Sequence, residues 1–150
     1  GGFSGYLASD SLPNEFLTSA TLKTLVGYPL DGIPQNDQGR MHATPVGNIG
    51  FSSAFGQTYT TSAIRSSGGN SGGPLCIQNP DGTWYPAAIY LGGTAQTVVR
   101  AIDSDVLNLF GFAEVSGNAG AGNTGGSLTQ TGTSPIGTPA LGAAGRCGAR

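Results

Sequence analysis

Charged side chains are scarce in this sequence, with Lys+Arg at 6, Asp+Glu at 8 and charged residues at only 9% of its 150 positions. An average globular chain carries ~25%, and helical bundles and coiled coils depend on that charge for their outer faces, so neither is expected. The formal net charge of -2 leaves no basic surface to neutralise a phosphate backbone, and nucleic-acid binding is not expected. No apolar run reaches the ~18 residues of a membrane-spanning helix, so no membrane partner is expected and the chain reads as soluble. The chain also opens Gly1-Gly2-Phe3-Ser4 with no initiating Met, charged n-region or apolar h-region, which suggests an internal piece or a processed product.

Cysteine is nearly absent as well. Cys76 sits beside an apolar run and Cys147 in a Gly/Ala-rich stretch, and neither has neighbours at metal-ligand spacing. Two readings of Cys76 stay open, a small buried hydrophobe or one half of a disulfide. No metal or organic cofactor is implied.

What the sequence has in abundance is glycine, with 27 residues. From residue 117 onward the composition is almost entirely Gly, Ala, Thr, Ser, Asn and Pro, with Leu128, Ile136 and Leu141 as the large aliphatics. Such a stretch buries too little apolar surface to offset the entropy of ordering it, so 116–150 is expected to be a flexible tail or linker. Residues 1–115 read as one β domain, because short runs of Val, Ile, Thr, Tyr and Phe alternate with Gly, Pro, Asn and Asp. Strands are predicted at 22–28, 48–55, 58–64, 75–78, 85–91 and 97–102. Asn79-Pro80-Asp81-Gly82 predicts a hairpin, with glycine where a positive φ is required. A short helix is predicted from Asp103 to a stop near Gly111, since Val106, Leu109 and Phe110 recur at helical spacing behind an acidic start. A weaker helical pattern lies over 14–24, and no internal repeat occurs.

Chemistry concentrates in Ser66-Ser67-Gly68-Gly69-Asn70-Ser71-Gly72-Gly73-Pro74-Leu75. If Ser71 attacks a carbonyl, the oxyanion that develops needs preorganised donors about 3 Å away, which backbone N–H groups of a tight glycine-rich turn supply. Gly69 and Ser71 are the expected donors.

Gly69-Asn70-Ser71-Gly72-Gly73-Pro74-Leu75 resembles the Gly-Asp-Ser-Gly-Gly-Pro nucleophile motif of chymotrypsin/trypsin-like serine proteases, with Asn in place of Asp. Gly27-Tyr28-Pro29 is similar to a segment of the V8-like and other bacterial trypsin-like peptidases. Ala87-Ala88-Ile89-Tyr90-Leu91-Gly92-Gly93 resembles the strand that lines the family's primary pocket, and the helix near Asp103 fits its closing helix. The likeness covers roughly residues 22 to 112. It implies an all-β fold, a chymotrypsin-like six-stranded antiparallel β-barrel that is the second barrel of a two-barrel secreted endopeptidase, with a protein or peptide as substrate.

In that family the first barrel carries the catalytic His and Asp, and here it is absent. The single histidine is His42, and no Asp or Glu lies between it and Ser71, so the family's His, Asp, Ser order cannot be assembled from this chain. Without a base, Ser71 is a weak nucleophile and the fragment alone is expected to be inactive. His42 lacks the family's setting for a base and is expected to bond locally. The Gly-X-Ser-X-Gly elbow of α/β-hydrolases needs a His after the serine, and none follows. A subtilisin-like Asp, His, Ser order is present, but its spacing is too short for a sheet-based fold of that kind. A purely structural turn leaves the Ser-Gly-Gly-Pro-Leu continuation unexplained. The alternative from another class is a non-catalytic, protease-like peptide-binding module.

Two departures bear on activation and specificity. Asn70 carries no charge to receive a new N-terminus, so trypsin-style activation is not expected. Glu-specific V8-like enzymes place a His where Tyr90 stands, which argues against glutamate preference. By analogy with the family the primary pocket is formed by Arg65, Ser66, Tyr90, Leu91, Gly92 and Gly93. Arg65 either lies at its floor and favours acidic side chains by bidentate pairing, or points to solvent. Gly92 and Gly93 are expected to leave the entrance open, with substrate adding as a β-strand along Leu91, Gly92 and Gly93.

Overall fold

A computed structural model of the chain describes residues 5–120. Eight strands form one antiparallel sheet: β1 (Thr21–Gly27), β2 (His42–Ala43), β3 (Gly47–Ile49), β4 (Ser52–Phe55), β5 (Thr58–Thr61), β6 (Pro74–Gln78), β7 (Trp84–Gly92) and β8 (Thr97–Ala101). They are flanked by a one-turn helix α1 (Glu15–Thr18) and by α2 (Ser104–Gly120). The pairing path runs β2-β1-β6-β7-β8-β5-β4, with β3 also on β1. No ladder joins its two ends, so the sheet is not closed by hydrogen bonds into the expected six-stranded barrel.

The hairpin forms as its turn chemistry dictates. Gly82 takes φ +84°, its N–H donates to Asn79 O at 2.9 Å, and Thr83 N–H donates to the Asp81 side chain, so β6 and β7 pair from Gln78↔Trp84 onward. The apolar run 48–55 instead breaks into β3 and β4. Phe51 N–H leaves the ladder to donate to Leu17 O at 3.0 Å, and the ring packs into the core at 4% exposed. Alternation cannot report such a break, since Ile49 and Phe51 both read as inward-facing residues of one strand.

α2 begins as predicted: Asp103 accepts from Val106 N–H at 3.1 Å and pairs with Arg100 at 2.7 Å, while Asp10 accepts from Ser104 N–H. It does not stop near Gly111 but runs on to Gly120. A C-terminal glycine ends a helix by adopting positive φ, and Gly111 does not. The composition break near Ser116 therefore falls inside a helix, and the tail reading for 121–150 lies outside the described residues. Of the weak helical pattern over 14–24, only α1 forms, capped by Asn14, which accepts from Phe16 N–H. The β-prone remainder becomes β1.

The core gathers Leu17, Leu25, Tyr59, Leu75, Ala88, Tyr90 and Val99, all nearly inaccessible. Cys76 is buried and disulfide-bonded, which settles its two readings; Cys147 lies outside the described residues.

One buried residue escaped the sequence reading. Lys23 is fully buried on the same side of β1 as Leu25, and its ammonium donates to Ser19 O and Ile49 O at 2.6 Å and to Thr21 Oγ1 at 2.9 Å. All three of its donors are satisfied. Burial lowers its pKa from 10.5 to about 8. Between those values the unfolded chain holds a proton the folded chain has shed, so this group adds stability as pH rises through the window. The unfolding free energy of the wild type relative to Lys23→Met is therefore expected to increase from pH 8 to pH 10, measured by urea titration; a difference that stays constant or falls contradicts it.

Candidate active site

The Ser71 loop connects β5 to β6, and its backbone donors can be followed one by one. Ser67 N–H donates to Tyr90 Oη at 3.2 Å, and Gly68 N–H to the Asp31 carboxylate at 3.2 Å. Gly72 N–H donates to Tyr90 O at 2.9 Å, and Gly73 N–H to Asn70 O at 2.8 Å. Between these fixed points Gly69, Asn70 and Ser71 are left, and their N–H groups have no hydrogen-bond partner among the described residues. Gly69 and Ser71 are exposed, so water can reach their donors, and the anchored turn leaves a short run of backbone N–H groups open to a ligand beside Ser71. The Ser71 hydroxyl beside them is exposed and likewise has no partner among the described residues.

The glycines hold this geometry. Gly69 has φ +90°, and a Cβ there would lie 2.2 Å from Tyr28 O; at Gly73 it would lie 2.3 Å from Val26 O. The loop thus lies directly on the end of β1. That close approach is what the glycine-rich run is for, and it explains why Gly27 also lacks a side chain: a Cβ would meet Asn70 Oδ1 at 2.4 Å. Asn70 itself is 5% exposed, and its Oδ1 has no partner among the described residues. A carboxylate there would bring an uncompensated charge into the same position, whereas the neutral amide leaves only one acceptor unmet.

A cleft of about 340 Å³ opens at Ser71, walled by Val26, Gly27, Tyr28 and Met41 on one side and the loop on the other. Tyr28 and Met41 contribute half-exposed apolar surface to it. Met41 had no signal in the sequence, and Asp31 entered only as one possible acid, with Asp37, of the subtilisin-like order; both come from the long polar connection between β1 and β2.

The residues assigned to the pocket by analogy behave differently from one another. Ser66 and Tyr90 meet, with Oγ and Oη 2.5 Å apart, and Ser66 Oγ also donates to Gly93 O at 2.7 Å. Arg65 is exposed, which matches the solvent-pointing alternative and not a buried cation. Leu91 is 52% exposed at the end of β7, and Gly92 and Gly93 adopt φ near +140°.

His42 lies on β2, paired with Gly27 of β1, and its Nε2 is 3.3 Å from Asp37 O. It does not line the Ser71 cleft. Among the described residues no group of three or more His, Cys, Asp or Glu could hold a metal ion, and no helix is long and apolar enough to cross a membrane.

Comparison with family models, with curated proteins and with solved structures returned no match.

Proposed function

We propose that this chain carries the nucleophile of a serine endopeptidase, which cleaves peptide bonds through an acyl-enzyme on Ser71. The observation that carries the reading is the run of unpartnered N–H groups at Gly69, Asn70 and Ser71 beside an exposed serine hydroxyl. In the reaction Ser71 Oγ attacks the carbonyl carbon and its proton passes to a general base. The carbonyl oxygen becomes an oxyanion received by the N–H groups of Gly69 and Ser71. Collapse of the tetrahedral intermediate expels the amine, which takes that proton, and water then hydrolyses the ester. The substrate backbone extends β7 at Leu91, Gly92 and Gly93.

His42 Nε2 lies 3.3 Å from Asp37 O and the residue does not line the Ser71 cleft, so this reading assigns the base and its orienting carboxylate to polypeptide outside this sequence. That polypeptide fits over Tyr28, Leu30 and Met41, large apolar side chains left about half exposed around the Ser71 loop. The chymotrypsin-like barrel also fits the topology. β3, which pairs β1 off the path, and β4, at the far end of it, are joined by Gly50 and Phe51 alone, so the sheet must curl to bring β4 close to the β1 side. The disulfide at Cys76 agrees with an oxidising, secreted location.

A second reading, a non-catalytic peptide-binding module, draws on the same groove and on the absence of a base beside Ser71 among the described residues. Fluorophosphonate labelling of the native polypeptide separates the two, since only an activated serine reacts at a useful rate. Rapid stoichiometric labelling mapped to Ser71 is expected; an unlabelled Ser71 in a protein that still binds peptide favours the module.

A further inference from the structure

We infer that Tyr90 closes the primary pocket, so that the residue on the acyl side of the scissile bond must be small: glycine, alanine or serine. The inference rests on the peptidase reading and names the substrate class of the same site.

In that reading a substrate side chain enters between the 65–67 loop and the end of β7. Here the two walls are tied directly to one another. The Tyr90 side chain, 1% exposed and packed in the core, reaches from β7 to the 65–67 loop, with Oη 2.5 Å from Ser66 Oγ and 3.2 Å from Ser67 N. Ser66 Oγ spends its hydrogen on Gly93 O, 2.7 Å away. The Tyr90 hydroxyl hydrogen then has Ser66 Oγ at 2.5 Å and, more distantly, Ser67 O at 3.4 Å to accept it, and its lone pair receives the Ser67 N–H. Each of these donors already has an acceptor, and nothing in the arrangement waits for a ligand.

A long side chain would have to part Ser66 from Gly93 and displace a packed phenol, leaving the buried Tyr90 hydroxyl and the half-buried Ser67 N–H without their partners. An acidic one would find both hydroxyls engaged and Arg65 exposed instead of facing it. A methyl or hydroxymethyl group needs no parting of the walls. Gly93, read from sequence as keeping the entrance open, has a different cause. A Cβ there would fall 1.8 Å from Gln96 O, so the tight connection from β7 to β8 excludes a side chain whatever the substrate. The free volume beside Ser71 lies on the opposite flank, against Val26, Tyr28 and Met41.

The test uses the native polypeptide with peptide p-nitroanilides that differ only in the residue before the scissile bond. Alanine and glycine are expected to exceed phenylalanine, leucine, glutamate and arginine by at least about 100-fold in kcat/KM, as a site without room discriminates through the transition state. Tyr90→Val is expected to raise the leucine and phenylalanine substrates relative to alanine by about 10-fold or more. Should that variant fold poorly, wild-type inactivation rates by diphenyl phosphonates of alanine and of phenylalanine give the same comparison. Efficient cleavage after a large residue, with Ser71 labelled by fluorophosphonate, overturns the inference and leaves the peptidase reading standing. No cleavage of any substrate together with no labelling overturns both.

Discussion

Replacing Ser71 by alanine in the native polypeptide is expected to lower kcat/KM for a peptide substrate by roughly 10⁴-fold or more, because the replacement removes the atom that carries the acyl group in the proposed mechanism. The fold should not notice. Ser71 is exposed, and its hydroxyl has no partner among the described residues, so the stability change should stay within about 0.5 kcal/mol. The combination is diagnostic, since a structural serine would lose stability and a bystander would lose nothing. Residual peptidase activity within a few fold of wild type, measured after active-site titration, would assign the chemistry elsewhere.

Gly69→Ala is expected to damage both folding and activity. The added Cβ would sit 2.2 Å from Tyr28 O and 3.1 Å from Leu30 Cγ, at a residue whose φ is +90°. Backbone strain of this kind costs on the order of 1–3 kcal/mol before the clash is relieved, and relief must move the loop off the end of β1. Moving the loop displaces a donor that the proposal assigns to the oxyanion, and the loss of one such donor costs ~10²–10³ in kcat. Gly72→Ala is the control, because Gly72 has φ +82° but nothing within 4 Å of the new atom. Thermal unfolding should rank wild type, Gly72→Ala and Gly69→Ala in falling order. Equal effects at the two positions would mean that conformation alone, and not contact with β1, sets the cost.

The strands and the nucleophile loop were legible because their signals are local. Alternating β-branched and aromatic residues marked most of the sheet, and Asn79-Pro80-Asp81-Gly82 marked the hairpin down to the positive φ of Gly82. The glycines of the Ser71 loop were legible as a turn, although the reason for Gly69 and Gly73 lay in β1, over 40 positions away in the chain. Contacts of that range leave no mark on a single sequence. Lys23 was invisible for the same cause, since the carbonyls of Ser19 and Ile49 that accept from it are backbone groups which any residue provides. The pocket is the instructive case. The resemblance made Gly92 and Gly93 an open entrance, whereas a hydrogen bond from Ser66 to Gly93 O ties the 65–67 loop to the end of β7. Helix α2 ran past Gly111 because glycine stops a helix only when it takes positive φ, which sequence does not reveal.

The central proposal is geometric: the N–H groups of Gly69 and Ser71, which have no partner among the described residues, receive an oxyanion formed at Ser71. A crystal structure of the native polypeptide phosphonylated by fluorophosphonate tests it most directly. The account predicts density continuous with Ser71 Oγ and a phosphoryl oxygen at about 3 Å from both nitrogens. An adduct on another residue, or a phosphoryl oxygen turned away from both N–H groups, would contradict it.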